Sequence, residues 1–423
     1  MRLPKFLLKA ISGFYLKDMK EYLDKQLIDL YVEHHHKDKG GCCHRCKKPL
    51  KRITGSYKVK IQMLPVFNNK VFVHLKRRKG YCESCKKIRA EHLDFISPET
   101  PHLSQEYAWW LGRLCEISAV SRAGALAGID KMTMYRLDFA RLKRMFQYYK
   151  IPKVTKISVD EVYARSKKYG RKESRDKRFF TIICDLETRR VIWVSESREK
   201  AALDEFFKII GKERCRDIDV VAMDQHDSYK CSVEEHCPIA TVVWDRFHIM
   251  QNFNEAVDSD RKWLHEYMAH NETKRLTRGK FKRLFVKKDS RRSKVETRHI
   301  NEVLKDNKEF AYLELIKEGM YQLYDSENEY YAREKFEQIG EWIEQCPYLY
   351  ELKKWWKNFN NGWGTFRNYF YYRVSSALSE GQNNAIKALK RRGFGYRNMD
   401  YFKLKILQVC GFLNSKYVPM DFQ

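Results

Sequence analysis

The alternation of apolar and polar positions divides the chain into a β-rich start, a helical stretch and a longer α/β part. Between residues 41 and 95, apolar side chains recur at every second position on both sides of Asn68-Asn69, which predicts a β-hairpin with one buried face. Residues 1–40 are predicted to hold a short helix and a strand. Residues 100–150 have apolar positions at helical spacing and are predicted to be helical.

From Ile157 the pattern changes to short, β-branched apolar runs separated by turns. The predicted strands are Ile157–Tyr163, Phe179–Asp185, Val191–Glu196, Asp219–Asp224 and Ile239–Trp244, with a helix over Ala201–Ile210 after the third. Three hairpin-like strands followed by alternating helix and strand predict an α/β sheet with mixed strand directions.

Residues 246–360 are predicted to be almost wholly helical, and they are strongly basic. From Lys274 to Arg298 there are twelve Lys or Arg and only two acids. This density favours contact with phosphate at least as much as a solvated helix face. The aromatic cluster from Trp355 to Tyr372 is predicted to be mostly core, with one or two rings free to stack on unpaired bases.

The charge of the whole chain points to a polyanionic partner. Its 423 residues include 83 Lys and Arg against 55 Asp and Glu, a formal net charge of +28. Nucleic acid is the first candidate, because cationic side chains replace counterions condensed on phosphates. A membrane partner is not expected, since the basic residues form no single amphipathic stripe. The apolar runs are too short to span a bilayer, and Lys5 and Lys9 interrupt any signal-peptide core, so a cytosolic protein is expected.

In a cytosolic protein the 12 cysteines are expected to be thiols or metal ligands rather than disulfides. Four of them form two CxxC pairs, Cys43 with Cys46 and Cys82 with Cys85, on either side of the predicted hairpin. Two such turns can complete a tetrahedron of thiolates around one Zn²⁺ ion. The site is expected to be structural, because four cysteines leave no open position. The adjacent Cys42 leaves the register of the first pair open.

The stretch Val120–Leu137 fits a helix-turn-helix, with Gly128 at the turn. On the second helix, the side chains expected to face a major groove are Lys131, Thr133, Tyr135 and Arg136. A plain helical hairpin is the alternative, because such patterns also occur by chance.

Two aspartates occupy strands where an unpaired charge is costly. Asp160 lies within the apolar run Ile157–Tyr163, and Asp224 ends the run that begins at Asp219. On neighbouring strands they would repel each other, and a divalent cation would relieve that repulsion. Glu161 is an alternative ligand, but strand alternation turns it away from Asp160.

A third carboxylate, Glu380, begins a predicted helix near the C-terminus. The residues that share its helix face are Asn383, Asn384, Lys387 and Arg391. One glutamate among amides and bases suits a metal site beside DNA, with Lys387, Arg391 and Arg392 expected to contact the DNA. A carboxylate that only stabilises the helix dipole is the alternative for Glu380. Three carboxylates can hold two Mg²⁺ ions, or Mn²⁺, around one phosphate.

Three motifs of the chain resemble those of the ISL3 family of bacterial insertion-sequence transposases. Ile157–Val162 is similar to the first-Asp motif of that family, and Val242–His248, followed by Asn252 and Ala256, to its Asp-Arg-Phe-His motif. The helix Ser379–Arg392 and the turn after it, with Gly393, Gly395, Tyr396 and Arg397, are similar to its Glu helix and Arg-rich turn. The similarity extends from about Leu27 to Leu413.

The resemblance implies a ribonuclease-H-like catalytic core with Asp160, Asp224 and Glu380 as Asp-Asp-Glu metal ligands. It places Asp245 and His248 beside them as supporting residues; a helix N-cap for Asp245 and a buried helix histidine for His248 are the alternatives. It also makes the helical stretch between Asp224 and Glu380 an insertion. The domains then expected are 1–40, an N-terminal helix and strand; 41–95, the zinc module; 100–150, the helix-turn-helix; 151–255 and 365–423, the two parts of the core; and 256–364, the basic helical insertion.

The sequence therefore predicts an α/β protein that acts as a metal-dependent DNA transposase. It is expected to bind the terminal inverted repeats of an insertion sequence, cleave there and join the ends to target DNA. A homodimer on double-stranded DNA, in the bacterial cytoplasm with the nucleoid, is the expected working form. Two alternatives remain open: a ribonuclease-H-like nuclease that does not join strands, and a DNA-binding regulator with an inactive catalytic domain.

Overall fold

The computed structural model describes residues 11–35, 40–165, 175–267, 279–374, 377–414 and 416. The chain forms two compact units. The first unit combines Met1–Lys150 with Leu389–Gln423, and the second is Ile151–Ala388. Within the described residues, no helix is both long enough and apolar enough to cross a bilayer.

The first unit begins with a five-stranded sheet in the order β1-β2-β4-β3, with β5 also paired to β4. Its strands are β1 (Phe14–Tyr22), β2 (Leu27–His34), β3 (Arg52–Gln62), β4 (Lys70–Cys82) and β5 (Lys87–Ala90). The predicted antiparallel hairpin is confirmed, since β3 pairs with β4 along its length. Alternation holds as well, because Ile61, Val73 and Leu75 all lie in the core of the sheet.

A short helix and a strand are predicted for residues 1–40, of which residues 1–10 and 36–39 lie outside the described residues. β1 and β2 form an antiparallel hairpin around the 3-10 turn Leu23–Lys25, and the described residues 11–35 contain no α-helix. β2 also pairs in parallel with β4, which places Leu27 opposite Lys70. Leu30 and Val32 alternate only weakly with polar residues in the sequence. In the structure both side chains are buried in the core of the sheet, where β2 lies beside β4. This segment and the cysteine module therefore share one sheet.

Three helices follow in the first unit: α1 (Gln105–Ile117), α2 (Val120–Ala127) and α3 (Lys131–Gln147). They enclose an apolar core that includes Leu111, Met134 and Leu137. Gly128 ends α2 with a φ of +66°, in the left-handed region that favours glycine, and Asp130 caps the N-terminus of α3. The predicted helices and their turn are thus present.

The second unit contains a five-stranded sheet in the order β10-β9-β6-β7-β8. Its strands are β6 (Lys156–Tyr163), β7 (Phe179–Asp185), β8 (Arg190–Glu196), β9 (Val220–Met223) and β10 (Thr241–Trp244). The first three strands are antiparallel neighbours, whereas β9 and β10 run parallel to β6. This confirms the predicted mixed sheet.

Helices cover the rest of the second unit, as predicted. The helices are α4 (Lys200–Arg216), α5 (Asp227–His236), α6 (Arg246–Tyr267), α7 (Lys294–Asp306), α8 (Lys308–Asp325), α9 (Glu329–Gln345), α10 (Tyr350–Asn361), α11 (Trp363–Phe366), α12 (Tyr369–Tyr372) and α13 (Ala377–Arg392). The aromatic cluster is mostly core, since Trp356, Phe359, Phe366 and Phe370 are buried. Gly362 allows a close approach there, because a Cβ at that position would overlap the ring of Trp244.

The last helix, α14 (Met399–Val409), packs on α1 and α3 of the first unit. The sequence placed residues 365–423 in the catalytic core, whereas Leu389–Gln423 group with the N-terminal unit. A buried polar contact supports this grouping of α14 with the first unit: Lys405 Nζ on α14 donates to the carbonyl of Cys115 on α1, at 2.6 Å. The local sequence pattern does not show this contact.

Candidate catalytic centre and zinc site

The strand register brings Asp160 and Asp224 side by side. β6 and β9 are parallel neighbours, and Val159 pairs with Met223, so the next residue on each chain segment is one of the two aspartates. Residues at the same level of neighbouring strands share a face of the sheet. The Asp160 side chain is 13% exposed and that of Asp224 is 45% exposed, which leaves one side of the pair open to solvent.

The imidazole of His248, in the first turn of α6, lies between these carboxylates. Its Nε2 is 3.6 Å from Asp160 Oδ1 and 3.7 Å from Asp245 Oδ2, and its Nδ1 is 3.8 Å from Asp224 Oδ2. Burial lowers the pKa of His248, but contact with Asp160 and the charges of Asp224 and Asp245 outweigh it and raise the pKa to about 9. The acids that surround the ring thus favour its protonated form.

Asp245 is buried at the junction of β10 and α6, where it caps the helix. Its Oδ1 accepts from the backbone N–H of Phe247 at 2.7 Å, and its carbonyl accepts from Ile249 N–H at 3.2 Å. Its own N–H donates to the carbonyl of Met223, next to Asp224. Both Asp245 and His248, which the family resemblance marked as supporting residues, thus lie beside Asp160 and Asp224.

Helix α13 reaches the same place through Asn383. The Nδ2 of Asn383 donates to Asp160 Oδ2 at 2.7 Å. Glu380 lies one turn earlier on α13, and residues three apart share a helix face. The side chain of Glu380 lies outside the described residues, so its place in the metal site remains a prediction.

The sequence places Asn383 on the helix face of Glu380 but does not indicate that it contacts Asp160. The structure brings this face to Asp160. The next side chain of β6, Glu161, pairs with Arg198 at 3.3 Å. Burial raises the pKa of Glu161 despite the nearby Arg198 charge.

The donor set fits a hard divalent cation. Two carboxylates on neighbouring strands converge, and the more exposed of them faces solvent, where a phosphate can enter. Oxygen ligands of this kind are those that Mg²⁺ and Mn²⁺ prefer. Asn383 and His248 hold Asp160 in place from two sides, which limits the reorganisation that metal binding requires.

The four predicted cysteines converge in the first unit. The Sγ atoms of Cys43, Cys46, Cys82 and Cys85 all lie within 4.8 Å of one another, and among the described residues no other group of three or more His, Cys, Asp or Glu side chains comes together in this way. The separations of 3.9 Å for Cys43 to Cys85 and 3.4 Å for Cys46 to Cys82 are far beyond a disulfide bond. A tetrahedral zinc with bonds of about 2.3 Å requires sulfur atoms roughly 3.8 Å apart, so the cluster fits Zn²⁺. Cys42 is exposed and outside the cluster, which fixes the register of the first pair.

The candidate DNA-contacting side chains differ in exposure. On α3, Lys131 and Arg136 are exposed, whereas Thr133 and Tyr135 are half-buried. The ring of Tyr135 packs edge-on against Tyr401 of α14, with centroids 4.9 Å apart. On α13, Lys387 and Arg391 are exposed.

Arg392, at the end of α13, is more constrained than these, because its guanidinium donates to the carbonyl of Ile117 at 3.1 Å. The exposed cations are therefore the ones available to a phosphate backbone.

Comparison with known proteins agrees with this architecture. The family model for ISL3-type transposases, described as "Transposase", matches residues 157–406, more than half of the chain. The transposase for insertion sequence element IS1001 of Bordetella parapertussis is 23% identical over 367 residues, which cover 86% of this chain and 87% of that protein. The transposase for insertion sequence element IS1557 of Mycobacterium tuberculosis is 24% identical over 335 residues, 70% of each chain. The chain belongs to the ISL3 family of insertion-sequence transposases, a family of DNA-processing enzymes.

Proposed function

We propose that the chain cleaves DNA at the ends of its insertion sequence and joins the freed 3′ ends to target DNA, with Asp160, Asp224 and Glu380 as ligands of two Mg²⁺ ions. The observation that carries the proposal is the pair Asp160 and Asp224 at one level of two parallel strands, with His248 and Asn383 around it. The family membership of the chain supports the same chemistry.

Each residue has a defined task in this proposal. The bound ions supply activation of a water or 3′-hydroxyl and stabilise the leaving oxygen of an in-line displacement. Asp160 and Asp224 would hold the ions, and Asn383 fixes the Asp160 carboxylate through its 2.7 Å hydrogen bond. Asp245 positions the first turn of α6 and with it His248, which lies against Asp160, Asp224 and Asp245 itself.

The first unit would provide DNA recognition. The cysteine cluster, filled by structural Zn²⁺, would hold the turns at Cys43 and Cys82 in the β3–β4 sheet. A ribonuclease-H-like core in the second unit and a helix-turn-helix formed by α2 and α3 complete the proposed architecture. Because two element ends must be held together, the working form is proposed to be a dimer on double-stranded DNA.

The decisive experiment compares Asp224→Asn with a matched control. Asp227→Asn removes an exposed carboxylate from the first turn of α5, close in sequence to Asp224. Both variants are incubated with Mg²⁺ and duplex DNA that carries the terminal repeat of the element. Asp224→Asn should bind this DNA and produce neither cleavage nor joining, while Asp227→Asn should retain both. Normal cleavage by Asp224→Asn would overturn the metal-site assignment.

The same assay separates the alternative functions by its products. Strand-transfer products from the wild-type chain support the transposase, whereas nicking without joining supports a nuclease. Bound but intact DNA supports a regulator with an inactive catalytic domain.

A further inference from the structure

The turn that follows α13 displays an aromatic side chain to solvent. Phe394 is 94% exposed, which equals the highest value for any large apolar side chain among the described residues. Most of its apolar surface therefore remains in water, at a free-energy cost that scales with the exposed area. A ring held in this way is available to a partner.

The backbone at Phe394 makes this exposure unusual. The N–H of Phe394 donates to the carbonyl of Arg391 at 3.0 Å, and the N–H of Gly395 to that of Lys390 at 2.9 Å. This pair of hydrogen bonds is the Schellman ending of a helix, in which the residue at the position of Phe394 is left-handed and is usually glycine. Phe394 occupies the position with a φ of +52°. A glycine there would remove both the strain and the exposed ring, so folding alone does not account for phenylalanine.

The rest of the turn is rigid. The ring of Tyr396 stacks on Phe402 of α14 with centroids 4.5 Å apart, which anchors the turn to the first unit. Gly393 permits this, because a Cβ at that position would lie 2.9 Å from the Tyr396 ring. The backbone at Phe394 is therefore held in place before any partner arrives, which lowers the entropic cost of binding.

Two exposed arginines lie close to Phe394 in the chain, three positions before it and three positions after it. Arg391 and Arg397 are exposed, and within the described part of the chain neither guanidinium forms an ion pair with an acid. An exposed apolar ring with an exposed arginine three positions to either side suits a nucleotide, which presents a flat base next to phosphates. An apolar pocket of another protein would match the ring but not the charges.

We propose that Phe394 is a base-stacking residue: its ring packs on the face of a nucleobase of the bound DNA while Arg391 and Arg397 contact the adjoining phosphates. The proposal rests on the proposed function, since it assumes that DNA is the substrate. It adds a contact by which the turn after α13 grips an unpaired or unstacked base. Stacking is tolerant of sequence, because every base has a π-face.

The chain contains a matched control for this residue. Phe67, in the turn between β3 and β4, is also 94% exposed and also has a φ of +52°. Within three positions on either side of Phe67 there is no arginine, and the one basic residue is Lys70. If exposure and left-handed geometry alone explained DNA contact, both phenylalanines would behave alike. The proposal predicts that they differ.

The test uses the full-length chain and duplex DNA that carries the terminal repeat of the element, at one fixed salt concentration. Fluorescence anisotropy measures binding of the wild type, Phe394→Gly, Phe394→Trp, Phe394→Leu and Phe67→Gly. Because base–aromatic stacking contributes about 1–3 kcal/mol, Phe394→Gly should weaken binding by about 5- to 140-fold. Phe394→Trp should retain binding, Phe394→Leu should lose it nearly as strongly as glycine does, and Phe67→Gly should bind like the wild type.

Two further measurements exclude indirect effects. Phe394→Gly should have an unchanged or higher thermal midpoint than the wild type, since glycine suits the left-handed position. Short-wavelength ultraviolet light should cross-link the wild-type turn to DNA, and peptide mass spectrometry should locate the link at Phe394. A lower midpoint for Phe394→Gly would instead assign the ring to folding and overturn the proposal.

The remaining outcomes are equally decisive. Full binding by Phe394→Leu or Phe394→Gly would refute base stacking, and equal loss in Phe67→Gly would refute the role of the flanking arginines. A change of oligomeric state in Phe394→Gly without DNA would show that the ring docks on a second copy of the chain. If the wild type itself does not bind the element end, the proposed function fails rather than this inference alone.

Discussion

Replacing Lys405 by methionine is predicted to destabilise the first unit strongly, because Lys405 belongs to a buried network of charges. Its Nζ lies 3.2 Å from Asp138 Oδ2, and both side chains are almost completely buried. Tyr401 donates to the same carboxylate at 2.7 Å, and Arg141 lies 3.4 Å from its other oxygen. The network joins α3 to α14, so its loss should separate the C-terminal helix from the helices that precede it.

The expected loss of unfolding free energy depends on which charges remain around Asp138 in Lys405→Met. Removing one partner of a buried ion pair leaves the other charge unpaired and typically costs about 3–5 kcal/mol. Because Arg141 still faces Asp138, the lower end applies, about 3 kcal/mol of unfolding free energy. For a unit of this size that corresponds to a fall of roughly 6–12 °C in thermal midpoint. Urea and thermal unfolding measure both quantities, with the exposed Lys131→Met on α3 as a control expected to change by less than about 0.5 kcal/mol.

A second variant and a pH series test the cause. Asp138→Asn combined with Lys405→Met removes the unpaired charge and should recover part of the stability. Burial favours the neutral acid, but the Lys405 and Arg141 charges outweigh it and hold the pKa of Asp138 below its ordinary value. A lowered pKa contributes stability above the unfolded pKa of about 4, and this contribution is lost as the pH falls through the folded value. The difference between wild type and Lys405→Met should therefore shrink below about pH 4. A loss under about 1 kcal/mol at neutral pH would refute the reasoning.

Three other variants test separate parts of the molecule. Cys82→Ser should release zinc, measured by metal analysis of the purified protein, and weaken binding to the element end; unchanged zinc content would contradict the assigned site. Asn383→Leu removes a charge-assisted hydrogen bond from Asp160, so cleavage should fall by about 10-fold or more while end binding persists. Equal losses in both assays would assign Asn383 to DNA binding instead. Gly362→Ala places a Cβ against the Trp244 ring and should lower the free energy of unfolding, measured in urea, by about 1–3 kcal/mol through overpacking; an unchanged free energy would show that the ring can move.

Local patterns predicted much of the fold because those patterns record burial directly. The strands of the second sheet were predicted to within about two residues, since each is a short β-branched run that is buried in the structure. The CxxC spacing predicted the cysteine cluster for a similar reason: ligands on one turn are fixed by the turn itself. Asp160 and Asp224 were found because an acid in an apolar strand is anomalous without a partner.

The rest depended on contacts between distant positions, which no local pattern encodes. Leu30 and Val32 lie on β2, which pairs with β4, and the sequence around these two residues does not reveal that pairing. Asn383 is one of several amides on α13, and only its approach to Asp160, 223 positions earlier, distinguishes it. Likewise Lys405 resembles any lysine on a helix until Asp138, 267 positions away, is placed against it. Both contacts are made by the C-terminal segment with elements that precede the helical stretch 246–360. Such partners follow from topology, so the chemical role of a polar side chain becomes predictable only once the strand order and helix packing are known.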